Sequence, residues 1–128
     1  MFITTNDGKR VGIWVWYWTN GQLWKKGNHN KNGKLEGEWV RYYDNGQLSK
    51  KGEYNKNGER IGEWVSYYSN GHLMSKVEYN ENGKEVGEWV YYWDNGQLWE
   101  KGEYKNGERV GEWFWYNKYG TFDEKKTY

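Results

Sequence analysis

The stretch from Gly37 to Leu48 reads Gly-Glu-Trp-Val-Arg-Tyr-Tyr-Asp-Asn-Gly-Gln-Leu, and close copies of it recur along the chain of 128 residues. Copies open at Gly12, Gly37, Gly62 and Gly87, 25 residues apart (37 − 12, 62 − 37, 87 − 62), and a fifth opens at Gly111 after 24. A fixed period of this length is the signature of a repeat array, in which each unit packs on its neighbours. The sequence predicts one repeat domain over residues 1–128, with a partial N-terminal unit at 1–11 and a C-terminal capping unit at 111–128.

The composition favours strands and turns over helices. The chain has 11 Trp, 13 Tyr and 3 Phe beside 18 Gly, and it contains no Pro and no Cys. Aromatic residues are enriched in strands, and glycine is enriched in turns. No window carries a sustained apolar stripe with a period of 3.6 residues, so helices are not expected.

Asparagine-glycine pairs punctuate the chain at alternating intervals of 12 and 13 residues until a final, shorter interval. This dipeptide between aromatic and β-branched runs is the strongest short-range signal for a β-hairpin. Short turns can join only antiparallel neighbours, so the sequence predicts an all-β antiparallel meander of roughly ten strands with about seven to nine residues each. The pairs begin at Asn20, Asn32, Asn45, Asn57, Asn70, Asn82, Asn95 and Asn106.

Two kinds of turn alternate, and the second is predicted to be longer and more charged. The first follows Tyr-Tyr-Asp-Asn-Gly, where a three-residue loop with a glycine bulge and a two-residue Asn-Gly turn are both allowed. We favour the three-residue loop because it avoids placing Glu38 directly opposite Glu53. That loop pairs Tyr42 with Leu48, Arg41 with Ser49 and Trp39 with Lys51, whereas the shorter turn pairs Trp39 with Gly52.

Both faces of the predicted sheet carry large apolar side chains. Alternation along the strand places Trp39 on one face and Val40 with Tyr42 on the other, and the other copies repeat this pattern. Neither face is wholly polar, so the sheet must curl or its faces must be exposed to water. Ladders of aromatic side chains are expected to replace a closed core.

The motifs at Gly52-Glu53-Tyr54, at residues 57–62 and from Trp64 to Gly71 resemble the MORN repeat in its bacterial and viral variant form, often labelled YwqK-like antitoxin. The resemblance covers essentially the whole chain. It departs where the usual repeat has a second glycine, because Trp39 and its equivalents occupy that position. The resemblance implies a row of β-hairpins in an elongated, single-layer sheet, twisted or trough-shaped, that serves as a scaffold and contacts membranes or partner proteins.

The sequence shows no pattern typical of catalysis, metal binding or a cofactor. His29 and His72 have no partner residues at a recognised spacing, and we interpret both as solvated strand residues. A glutamate column, represented by Glu38, and a lysine column, represented by Lys51, could suggest calcium binding. Cross-strand pairing on an exposed face explains them better. The net charge of +1 gives no long-range attraction to a nucleic acid duplex or an anionic membrane.

The positions that vary between copies are the candidates for specificity. With the three-residue loop, two varying columns would face each other. Trp16 with Trp24 and Tyr91 with Trp99 would then form two aromatic walls, and Ser49, Ser66 and Arg41 would form a lower floor between them. Planar ligands could stack on the walls while Arg41 or a column lysine meets an anion. The candidate binding residues are Trp16, Trp24, Arg41, Ser49, Ser66, Met74, Tyr91 and Trp99.

These observations predict a cytoplasmic, non-catalytic binding scaffold whose partner is another protein, in an antitoxin-like or inhibitory role among others. Exposed tryptophan and tyrosine side chains anchor protein interfaces, and self-association is an allowed variant. One alternative is sequestration of a small anionic aromatic ligand, such as a nucleotide. Another is peripheral lipid binding, which the near-zero net charge disfavours.

Overall fold

The computed structural model describes residues 3–4 and 10–128 and shows an all-β protein. Eleven strands form one sheet in which each strand pairs with its neighbours in sequence, and every pairing is antiparallel. The predicted single-layer meander of hairpins is therefore confirmed. The strands are β1 (Ile3–Thr4), β2 (Arg10–Tyr17), β3 (Leu23–His29), β4 (Leu35–Tyr42), β5 (Leu48–Tyr54), β6 (Arg60–Tyr67), β7 (Leu73–Tyr79), β8 (Glu85–Tyr92), β9 (Leu98–Lys105), β10 (Glu108–Tyr116) and β11 (Phe122–Thr127).

The two kinds of turn share one backbone geometry, so the predicted difference in length is wrong. In the first kind, Tyr43 N–H donates to Gln47 O at 2.8 Å and Gly46 N–H donates to Tyr43 O at 3.0 Å. The second kind repeats both bonds between residues 55 and 59. The side chains distinguish them: Asn45 Oδ1 accepts from Gln47 N–H in the first kind, whereas Asn55 Oδ1 accepts from Asn57 N–H and Glu59 N–H in the second.

The shortened interval before the fifth copy produces a different hairpin. Asn106 and Gly107 alone connect β9 to β10, with φ values of 49° and 86°. Positive φ at both central residues defines a two-residue type I′ turn, for which Asn-Gly is the preferred sequence. One deleted residue thus converts the turn without changing the order of the strands.

The register of the hairpin formed by β4 and β5 combines features of the three-residue loop and of the two-residue turn. Tyr42 lies opposite Leu48, as the three-residue loop predicts, but Arg41 lies opposite Lys50, Trp39 lies opposite Gly52 and Glu38 lies opposite Glu53. A bulge places one extra residue, Ser49, on β5 between these pairs. The predicted pairs of Arg41 with Ser49 and of Trp39 with Lys51 are therefore wrong.

Glycines on one face of the sheet leave room for the tryptophan rings of the following strand. The most buried apolar side chains, Trp113 (0 % exposed), Trp64 (2 %) and Val77 (6 %), lie on the face that we call the tryptophan face. A Cβ atom added at Gly52 would overlap the Trp64 ring, and one at Gly102 would overlap the Trp113 ring. Only glycine leaves room for an indole that crosses the neighbouring strand.

Val77 replaces glycine in the third copy and changes the packing of Trp89. Trp64 Nε1 donates to Glu53 O at 3.1 Å, and Trp113 Nε1 donates to Glu103 O at 3.2 Å. Trp89 is only half-buried, yet its Nε1 is a buried atom without a hydrogen-bond partner. Where valine replaces glycine, the indole thus lacks the backbone hydrogen bond that Trp64 and Trp113 make.

Hydrogen bonds between turns join successive copies. Asn45 Oδ1 accepts from Gln47 N–H within its own turn, while Asn45 Nδ2 donates to Ser69 O of the next copy, both at 2.9 Å. Aromatic side chains that begin the turns make a second set of bonds to the following copy. These donors are Trp18 Nε1 to Tyr42 O, Tyr43 OH to Tyr67 O, Tyr68 OH to Tyr92 O and Trp93 Nε1 to Tyr116 O, at 2.6–3.1 Å.

The predicted N-terminal strand is described only at Ile3–Thr4, which pair with Val11 and Arg10. Residues 1–2 and 5–9, including the predicted Asp7-Gly8 turn, lie outside the described residues. At the other end, β11 pairs with β10, and its side chains are exposed.

Candidate functional site

A single row of varying side chains crosses the tryptophan face from β2 to β11. Residues directly opposite each other on neighbouring strands share a face, and the pairing carries this row through ten strands. We call it the variable row. Its members in order are Trp16, Lys25, Arg41, Lys50, Ser66, Ser75, Tyr91, Glu100, Trp115 and Glu124.

The row contains one predicted varying column but a different partner column. The predicted partner of Arg41 is Ser49, whereas the bulge shifts the partner by one residue to Lys50. Lys25 and Glu100 enter the row by the same shift, and so does the buried Ser75. The predicted partner residues Trp24, Ser49, Met74 and Trp99 are half-buried at the bulge positions beside the row.

The two predicted aromatic walls differ in their contacts. Trp99 stacks on Trp93 with ring centroids 3.9 Å apart and meets Tyr91 edge-on at 5.0 Å. Trp89, Tyr91, Trp99 and Glu100 line a pocket of about 140 Å³ there. The structure thus brings Tyr91 and Trp99 together and leaves a small cavity beside them.

At the other wall, cations cover the indole rings. Lys25 Nζ lies 4.9 Å from the Trp16 ring centre and 4.4 Å from that of Trp24. Arg10 lies 5.3 Å from the centre of the Trp16 ring. A planar ligand would therefore have to displace Lys25 before it could stack between Trp16 and Trp24.

His29 is buried beside this wall, so the prediction that it is a solvated strand residue is wrong. Its ring meets Trp14 and Trp16 edge-on, with centroids 6.2 and 6.4 Å away. Burial lowers the pKa of His29, and the charge of Arg10 lowers it further, while a backbone hydrogen bond at Gly12 raises it. His72 is exposed as predicted, but it lies in a turn and not in a strand.

The first half of the variable row is basic. Arg41 lies directly opposite Lys25 on one side and Lys50 on the other. Burial lowers the pKa of the Lys50 ammonium, and the charges of Arg60 and Arg41 lower it further. Across the described ranges 3–4 and 10–128, no ion pair joins these four cations to a carboxylate. Lys25, Lys50 and Arg60 are not among the predicted binding residues, and only the observed bulge places Lys25 and Lys50 in the row.

Beside the second half of the row, but not a member of it, lies a cation with a counter-charge. Arg109 Nη2 lies 3.2 Å from Glu100 Oε1, and the guanidinium carbon lies 4.3 Å from the centre of the Trp113 ring. Hydrogen bonds to Tyr128 and Tyr104 and the charge of Glu100 raise the pKa of Arg109 against the opposing effect of burial. The charge of Arg109 is therefore compensated by Glu100, whereas no carboxylate of the described residues pairs with the cations of the first half.

The opposite, valine face carries the glutamate and lysine columns. Lys51–Glu38, Lys76–Glu63 and Lys125–Glu112 pair across neighbouring strands at 3.9, 3.4 and 3.2 Å. The predicted cross-strand pairing is confirmed. In the described part of the chain, no group of three or more His, Cys, Asp or Glu side chains is placed to hold a metal ion. Nor do the described residues include a helix able to cross a membrane.

Comparison with protein families identifies the repeat unit. The MORN repeat variant model matches residues 10–31, 35–56, 60–81 and 85–106 in tandem. Each match comprises one hairpin, beginning with β2, β4, β6 or β8. A search of curated proteins gives no match. Repeats of this family are generally non-catalytic and associated with binding or scaffolding. With these four tandem matches over more than half of its length, the chain belongs to the MORN repeat variant family.

Proposed function

We propose that this protein is a non-catalytic scaffold that binds a protein partner across the variable row. The carrying observation is that no two copies have the same pair of row residues, while the surrounding hairpin is nearly constant. Trp64 and Val65, for example, recur in other copies, whereas the row position Ser66 is occupied elsewhere by tryptophan, arginine or tyrosine. A repeated frame that holds one changing residue per strand can present a specific surface without a catalytic centre.

The residue types in the row suit a protein interface. Tryptophan, tyrosine and arginine are the side chains most enriched among residues that dominate binding energy. Trp16, Arg41, Tyr91 and Trp115 supply all three types along one face. The first half of the row is basic, and Glu100 and Glu124 lie in the second half. A partner with the opposite charge order would be held in one orientation.

Charge reversals on opposite faces test this proposal. Arg41→Glu places a carboxylate in the variable row, and Lys51→Glu makes the same change of charge on the valine face. A partner captured from the native host should be purified and titrated against each variant by calorimetry. We expect Arg41→Glu to weaken binding at least about tenfold, and Lys51→Glu to change it little. Equal effects of the two variants would overturn the proposal, as would the absence of any partner.

A small anionic aromatic ligand is the second candidate function, because unpaired cations lie beside Trp16 and Trp24. Such a ligand would need Lys25 to move from both rings. Mass spectrometry of small molecules released by denaturing the purified protein tests this candidate. An inhibitory or antitoxin-like role would be one form of the protein-binding function, and identification of the partner would test it.

A further inference from the structure

Three cations lie side by side across the middle of the tryptophan face. Lys25, Arg41 and Lys50 occupy directly opposed positions on β3, β4 and β5. Like charges directly opposite each other destabilise a sheet. Lys50 is half-buried, and the charges of Arg60 and Arg41 lower the pKa of its ammonium group, which places both guanidinium groups within its electrostatic reach. An isolated protein would gain stability by losing one of these charges, so their proximity requires an explanation.

The fourth copy shows how the positive charge is neutralised at the equivalent place. Arg60 and Arg109 occupy equivalent positions at the starts of β6 and β10, and each lies 4.3 Å from the ring centre of its tryptophan, Trp64 or Trp113. Arg109 meets the carboxylate of Glu100 at 3.2 Å. The residue equivalent to Glu100, fifty positions earlier (100 − 50), is Lys50. The second copy therefore keeps the arginine but replaces its counter-charge with another cation.

We propose that Arg41, Lys50 and Arg60 form a binding site for an oxyanion group, phosphate or sulfate in class, near the place that the Glu100 carboxylate occupies beside Arg109. Guanidinium groups bind such oxygens through paired N–H donors, and the lysine ammonium adds a compact positive charge. The bound group would supply the negative charge that the second copy lacks.

The spacing of the cations favours a ligand with more than one oxyanion group. Lys25 and Lys50 are two strand spacings apart, which is roughly 9–10 Å between backbones. Flexible lysine and arginine side chains can close on one phosphate, but linked phosphates would meet all four cations. Recognition needs no aromatic ring on the ligand, because Lys25 covers Trp16 and Trp24 and lies next to Arg41 in the row.

Calorimetric titration with tripolyphosphate tests the site, with inorganic phosphate as a weaker probe. Lys50→Gln and Lys51→Gln make identical changes at adjacent residues whose side chains lie on opposite faces. We expect wild type to bind tripolyphosphate more tightly than phosphate, and Lys50→Gln to weaken binding at least about tenfold. Lys51→Gln should weaken it less than about twofold, because Lys51 is paired with Glu38 on the valine face. No binding by wild type, or equal loss in both variants, would overturn the proposal.

Lys50→Glu supplies an independent measurement, because it introduces the carboxylate that Glu100 provides at the equivalent position of the fourth copy. This variant should melt at a higher temperature than wild type and should no longer bind tripolyphosphate. A variant that is folded and still binds the probe as wild type does would contradict the site.

Vesicles of phosphatidylcholine, with and without phosphatidic acid, separate the two sources of a phosphate group. Cosedimentation that requires both phosphatidic acid and Lys50 would support a lipid headgroup, and tripolyphosphate binding without cosedimentation would support a soluble ligand. The site does not depend on the proposed protein partner. Failure to bind any oxyanion would overturn it while leaving the effect of Arg41→Glu on partner binding unchanged.

Discussion

At the scale of single residues, the decisive contact is an indole ring lying across a glycine of the neighbouring strand. Gly52→Ala adds a methyl group where the buried Trp64 ring already lies. We expect the free energy of unfolding to fall by about 1–3 kcal/mol, because the ring or the strand must move. Urea unfolding followed by tryptophan fluorescence measures this change.

Position 77 supplies the control for that prediction. Val77 occupies the position equivalent to Gly52, and Trp89 Nε1 lacks the backbone hydrogen bond that Trp64 and Trp113 make. Val77→Ala should remain folded, because a Cβ atom is already accommodated there. Similar stability of wild type and Gly52→Ala would show that the Trp64 ring moves without cost, which would contradict the proposed role of glycine.

A second prediction at the residue scale concerns the pH dependence of stability. The pKa of His29 is lowered from 6.5 in the folded state, chiefly by burial. Below about pH 6.5 the unfolded chain binds a proton that the folded chain resists, so stability should fall as the pH drops toward the folded pKa. Above that pH the contribution is constant. Stability should therefore be lower at about pH 5.5 than at about pH 7.5.

His29→Tyr is the matched control, because tyrosine occupies the equivalent position in the next three copies. The variant retains His72, so the difference between the two proteins isolates His29. Urea unfolding at both pH values should show a smaller loss of stability in His29→Tyr. An equal loss in the two proteins would assign the pH dependence to other groups.

At the scale of the hairpin, the Asn45 side chain makes two separate hydrogen bonds, one within its own turn and one to the next copy. Asn45→Asp keeps the oxygen that accepts from Gln47 N–H but removes the amide that donates to Ser69 O of the next copy. We expect a loss of about 1 kcal/mol in the free energy of unfolding. Asn57→Asp is the control, because that residue also precedes a turn glycine but its side chain makes no hydrogen bond between copies among the described residues. Comparable losses in the two variants would contradict a role for bonding between copies.

The number, order and direction of the strands could be predicted from the sequence because Asn-Gly spacing reports each turn directly. The register could not be predicted, since the turn and the bulge contribute opposite shifts. The turn brings Tyr42 opposite Leu48, and the bulge at Ser49 then returns Trp39 to Gly52. Charge repulsion favoured a register that separates Glu38 from Glu53, but in the structure these two glutamates lie directly opposite each other.

Part of the candidate site could also be predicted from the sequence. Variation between copies identified Trp16, Arg41, Ser66 and Tyr91, because a position that changes within a fixed frame is visible without a structure. The basic neighbours of Arg41 were not identified, since a one-residue error in register exchanges Ser49 for Lys50. The same error in register made column lysines such as Lys51 possible anion ligands, although their side chains lie on the valine face.

At the scale of the whole molecule, each strand packs on its sequence neighbours, and no second layer covers the sheet formed by the described residues. Stability in such an array is approximately a sum of units and nearest-neighbour interfaces. The most buried tryptophans, Trp64 and Trp113, lie on β6 and β10. Damage at one of these positions should therefore remain local, whereas in a globular core it would reach every element.

Hydrogen exchange can distinguish these behaviours. Gly52→Ala should accelerate amide exchange in β5 and β6, next to the displaced Trp64 ring, and leave β9 and β10 close to wild type, because Trp113 keeps its contact with Gly102. Gly102→Ala should give the reverse pattern and serves as the matched control. If either substitution accelerates exchange equally in all four strands, the sheet unfolds as one cooperative unit, and nearest-neighbour packing does not describe its stability.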